Sequence, residues 1–165
     1  MGKVIPFVMK IKGDTKMERG ALDARDVALY FLNKEDMSNK KLQKLCYYAQ
    51  AWHYAFYDEG LFYQDVEAWV HGPVINDVYN QYKQFKWKTI KLDDAEIRNF
   101  GQEVCEHLDD IYDTYGEYDG DQLEALTHSE LPWQEAREGL QEWEPSHNVI
   151  KPETMSKYYW EKYEN

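Results

Sequence analysis

The chain has 165 residues, enough for one domain with a buried core, and its two cysteines, Cys46 and Cys105, match no metal-ligand spacing. A net charge of −12 argues against nucleic-acid binding through phosphate neutralisation as the main activity, and the apolar runs are too short to span a bilayer. The charge is also segregated: residues 93–144 carry 17 acidic and 2 basic side chains, whereas residues 1–92 carry 11 and 14. An acidic segment of this kind keeps a protein in solution or steers a basic partner toward it.

Residues 1–20 are expected to form an extension and linker. Val4 to Ile11 could make one strand, and the polar run from Gly13 to Gly20 follows it. No stretch resembles a cleavable leader, so the thiols are expected to be reduced and the protein cytoplasmic. Met17 is a candidate functional start. The first helix is predicted from about Ala24 to Asn33, capped by Asp23, with Ala24, Val27, Ala28 and Phe31 on one face. Ser38 is expected to cap a second helix, Asn39 to Asp58, whose apolar positions include Leu42, Leu45, Cys46, Ala49, Trp52 and Phe56. Tyr47, Gln50 and Tyr54 lie on its other side, so it should pack on two sides. Lys40, Lys41 and Lys44 crowd its first turns, where the helix dipole disfavours cations by roughly 0.3–1 kcal/mol each. Such charges either pair with acids of the same chain or mark a contact site.

From Leu61 to His71 the period is near two: Val66, Ala68 and Val70 point one way, Asp65, Glu67, Trp69 and His71 the other. Gly72 and Pro73 then read as a strand-to-helix elbow, with Pro73 in the first turn of a helix carrying Val74, Val78, Tyr79, Tyr82 and Phe85. Thr89 to Leu92 is a second strand, expected to pair with the first. Asp93 caps the longest predicted helix, Asp94 to Tyr115, with Gly101 inside it and a stripe of Ile97, Phe100, Val104, Leu108 and Ile111. A short helix follows from Asp121 to Thr127. Another, capped by Ser129 with Pro132 in its first turn, runs to about Glu138, and a terminal helix covers Pro152 to Tyr163. The expected fold class is therefore mainly α with a small two-stranded β element, a single compact helical domain over residues 21–165.

The chemistry-bearing residues specify no reaction. His53 falls on an apolar helix face, and His107 and His147 lie in polar contexts with no partner at a ligand spacing. His71 and His128 each stand at a joint between elements, and an enzyme would bring them together with a carboxylate in a pocket. The sequence contains no HExxH, paired CxxC, G-x-S-x-G, phosphate-binding loop or GxGxxG pattern. No cofactor or metal is expected.

Three blocks remain: KLQKLCYYAQ from Lys41, EAWVHGPV from Glu67, and LTHSELPW from Leu126. In this order they resemble the Panacea domain, or SocA-like antitoxin domain, of phage-associated proteins, over about Asp23 to Arg137. Leu42, Gln43, Leu45, Tyr47, Tyr48, Gln50, Gly72, Pro73, Thr127, His128, Pro132 and Trp133 occupy its motif positions and are expected to be structural. Two departures stand out. His71 replaces the family's usual Tyr before Gly-Pro, and Tyr118-Asp119 replaces a Leu-Ser pair. The resemblance implies an antitoxin, not an enzyme, that neutralises a co-encoded toxin by direct binding. It leaves a phage-associated regulator or adaptor, or an enzyme reversing the toxin's effect, as alternatives. The candidate toxin-binding residues are Lys40, Lys41, Lys44, Trp69, His71 and Tyr79; the acidic 93–144 segment could meet a basic toxin instead.

Overall fold

A computed structural model describes residues 20–92 and 97–165. The expected strand and linker before Gly20, the Met17 start and the Asp93 cap lie outside the described residues.

The helices are α1 (Ala24–Leu32), α2 (Asn39–Tyr57), α3 (Asn76–Tyr82), α4 (Gln102–Tyr115), α5 (Gly120–His128), α6 (Leu131–Ala136) and α7 (Pro152–Glu164). Among the described residues the strands are β1 (Met37–Ser38), β2 (Glu67–Trp69), β3 (Gly72–Val74) and β4 (Thr89–Ile90). Helix α2 is the axis of the molecule. It packs against α7, α5, α1 and α4, and 16 of its 19 residues are buried. A helix enclosed on all sides must satisfy its polar side chains internally. Gln50 does so by accepting from Leu61 N and Phe62 N at 2.7 and 3.2 Å while donating to Phe62 O at 2.9 Å. Gln43 accepts from Ile75 N at 2.9 Å and so holds the start of α3. Asp23 and Ser38 cap α1 and α2 as the sequence predicts. Asp119 caps α5 in a reciprocal capping box with Gln122, so the family's Ser is replaced there without loss of the bond.

Four local expectations are corrected. First, the chain does not pass from strand to helix at Pro73. Residues Val70 and His71 instead turn a tight hairpin in which β2 and β3 pair antiparallel, Ala68 opposite Pro73 and Trp69 opposite Gly72. Gly72 has φ 109°, a value that L side chains rarely adopt, and α3 begins only at Asn76. The alternation before the hairpin stands, with Val66 and Ala68 buried and Trp69 half-buried. Second, β4 pairs with β1, Met37 opposite Ile90, so among the described residues the named strands form two separate two-stranded ladders. Third, α4 starts at Gln102: Gly101 is its N-cap, and Ile97 is 44% exposed in the irregular chain before it. Fourth, Ser129 closes α5 by bonding Leu126 O and does not cap α6, whose N-cap is Glu130.

Beneath the third motif lies a ring-lined polar cluster. The Glu130 carboxylate is 2% exposed and accepts from Tyr48 Oη at 2.7 Å, Tyr159 Oη at 2.9 Å and Lys162 Nζ at 3.0 Å. Tyr47 Oη meets Tyr159 Oη at 2.9 Å, Trp52 Nε1 donates to Tyr115 Oη at 2.8 Å, and Tyr48 stacks on Tyr115 at 3.9 Å. Burial and the Glu130 charge together push the Tyr48 hydroxyl far above its usual range.

Candidate functional site

The first and second motif blocks line a groove of about 960 Å³, and the third block supports it from beneath. It is bounded by the N-terminal turn of α2 with the loop into α5, by the β2–β3 hairpin, by the end of α3 with the segment to Trp87, and by Pro145 to His147 in the loop before α7. Of the six candidate contact residues, Lys40, Lys44, Trp69, His71 and Tyr79 line it. Lys41 does not. It turns away to pair with Glu35 Oε1 at 2.8 Å and to donate to Gly116 O at 2.6 Å.

The hairpin orients the aromatic wall. Trp69 and Tyr79 meet edge to face at 4.9 Å, and the Trp69 indole N–H donates to Glu67 Oε1 at 3.0 Å. Glu67 also accepts from Asn76 Nδ2 at 2.5 Å and contacts His147 Nδ1 at 2.8 Å, which ties the hairpin to α3 and to the loop before α7. From beneath, Trp133 Nε1 donates to Trp69 O at 2.9 Å. Arg137, lying over the Trp133 ring, donates to Ala68 O at 3.0 Å. The third motif therefore braces the second.

The three lysines at the start of α2 have different fates. Lys40 Nζ lies 2.9 Å from Asp121 Oδ1 and 2.7 Å from Glu124 Oε1, so the dipole's disfavoured cation is answered by α5. Burial alone would raise the Glu124 carboxyl, but Lys40 and then His71, at 3.3 Å, outweigh it and hold that carboxyl below its usual range. Lys44 is 1% exposed and donates once, to Pro73 O at 3.3 Å. Burial brings its ammonium down from 10.5 to about 7, with Glu124 opposing and Lys40 reinforcing the shift. The hairpin glycine makes room for this lysine, since a Cβ on Gly72 would stand 2.6 Å from Lys44 Cε.

The histidines do not converge as an acid–base pair. His71 is exposed at the groove rim, whereas His128 stacks on Trp133 at 3.9 Å, outside the groove lining, and burial lowers its pKa. His107, expected in a polar setting, is 2% exposed and bonds Ala49 O through Nε2 at 2.8 Å. Among the described residues no group of three His, Cys, Asp or Glu side chains could hold a metal ion, and no helix is long and apolar enough to cross a membrane.

Sequence reasoning missed one wall. Lys83, Lys86 and the 79% exposed Trp87 complete the groove. The run KQFKWKTIK from Lys83 to Lys91 holds four lysines and no acid, an available signal concealed by the strand pattern at its end. It also missed Glu124, Glu130 and Arg137, whose bonds to Lys40, Tyr48 and Ala68 join positions far apart in sequence.

The model of the SocA-like antitoxin Panacea domain matches residues 42–134, more than half of the chain, and the protein belongs to this antitoxin family. The matched span contains α2 from Leu42 onward, the hairpin and the Glu130 motif. No curated protein and no solved structure matches the chain.

Proposed function

We propose that this antitoxin-family protein neutralises a co-encoded toxin in the cytoplasm by direct protein–protein binding, with no bond made or broken. One observation carries the reading. Trp69, Tyr79 and Trp87, together with Lys40, Lys83, Lys86 and His71, are gathered into one groove held by the family's own motifs. Aromatic side chains bury large area at low entropic cost, and cations give orientation, which makes the combination a good interface anchor. Bonds made by the motif residues support a structural role for them: Gln43 and Gln50 hold backbone, Tyr48 holds Glu130, and Trp133 holds the hairpin. Contact residues are thereby free to differ while the frame is kept.

The test is co-expression with the adjacent reading frame. That frame alone should arrest growth, growth should return when this chain is added, and the two products should co-purify. A harmless neighbour, or rescue without a complex at micromolar concentrations, ends the proposal.

A further inference from the structure

A protein with a net charge of −12 concentrates basic side chains on the walls of its groove. The two aspartates that also line it are already engaged, Asp119 as the α5 cap and Asp121 with Lys40. Lys83 and Lys86 are exposed and make no ion pair among the described residues. Lys44 is the decisive group. Its three N–H donors share one hydrogen bond of 3.3 Å, to Pro73 O, and it has no carboxylate in contact although it is 1% exposed. A buried cation left so poorly satisfied costs stability, and an anion arriving from the groove would relieve that cost. Val70 and Val74 add apolar lining beside it.

We propose that the groove is the docking site of an acidic, extended segment of a partner protein, with one partner carboxylate received by the Lys44 ammonium and others facing Lys83 and Lys86. The inference deepens the antitoxin reading and rests on it for the partner's identity, so the segment belongs to the toxin. A protein segment fits better than RNA, because the excess of acids over residues 93–144 repels a polyphosphate chain, whereas one carboxylate on an apolar segment meets only the local lysines.

The test uses the full chain and a fluorescein-labelled eight-residue peptide that alternates Glu with Leu and Trp. Its controls are a Gln-for-Glu twin and an eight-nucleotide single-stranded RNA, all followed by fluorescence anisotropy. The acidic peptide should bind saturably, and its Gln twin at least about tenfold more weakly, the scale of one lost charge-assisted contact. Lys44→Met should weaken the acidic peptide by about tenfold or more. The double variant K83A/K86A, altered only at the surface, should weaken it by roughly threefold at low salt and have little effect at 0.5 M NaCl, where exposed charges are screened. Equal binding of the Gln twin, tighter binding of the RNA, no peptide binding, or binding unchanged by K44M overturns the inference. So does a Lys44-dependent dimer seen by light scattering, which would assign the groove to a second copy. These readouts do not use the toxin, so a harmless neighbour gene defeats the antitoxin reading while leaving the peptide result to stand or fall separately.

Discussion

Replacing Lys44 by Met should make the protein more stable. The ammonium titrates near 7 in the folded chain against 10.5 for a free lysine. Between those values the unfolded chain holds a proton that the folded chain lacks, so stability rises with pH. Below about pH 7 the folding penalty is fully present. From about pH 7 to pH 9 the linkage is worth about 2 kcal/mol. Met keeps most of the apolar stem and has no charge to desolvate. It forfeits the bond to Pro73 O, a loss of about 1 kcal/mol, so the net gain at pH 7 is about 1–3 kcal/mol. For a chain of this size each kcal/mol moves Tm by about 2–4 °C. Urea unfolding followed by far-UV circular dichroism at several pH values between 7 and 9 would measure both proteins. Cys46 and the buried tyrosines, whose ionisation burial suppresses, work against the trend at high pH but are common to both chains. The informative quantity is therefore the difference between them, and the advantage of Lys44→Met should shrink as pH rises. A variant less stable than its parent at pH 7, or a gap that does not change with pH, would refute the reasoning.

Gly72→Ala should destabilise by about 2–4 kcal/mol, because the residue sits at φ 109° and a Cβ would meet Lys44 Cε at 2.6 Å; a urea midpoint close to the parent's counts against the hairpin geometry. Glu130→Ala strips Tyr48, Tyr159 and Lys162 of a shared acceptor and should cost about 3–5 kcal/mol, with a change in near-ultraviolet circular dichroism. A loss under about 1 kcal/mol would show that the carboxylate is not the hub. Gln50→Leu orphans Leu61 N and Phe62 N and should cost about 2–4 kcal/mol, with faster amide exchange at those two positions as the specific sign. Trp87→Ala, at a 79% exposed side chain, should alter stability by no more than about 0.5 kcal/mol yet weaken toxin binding at least about tenfold. Unchanged affinity by titration calorimetry would remove Trp87 from the interface.

Local features read well from the linear chain. Asp23, Ser38 and Asp119 cap their helices because a short polar side chain reaches its own helix's free N–H groups whatever surrounds it. The apolar face of α1 and the alternation from Val66 to Trp69 follow from side-chain periodicity, and the motif blocks are legible because their residues are contiguous. Where two local codes competed, packing chose between them. Gly-Pro can open a helix or a strand, and it opens the return strand of a hairpin here because Arg137 and Trp133 hold the β2 carbonyls and Lys44 fills the space under Gly72. The three lysines of α2 look alike in sequence, yet one pairs with α5, one turns toward Glu35 and one is buried. Their fates depend on which carboxylate, if any, lies within about 4 Å, where Coulomb attraction outweighs desolvation. Spacing along the chain carries no information about that distance, so the groove and the buried ammonium on its floor exist only once the helices have packed.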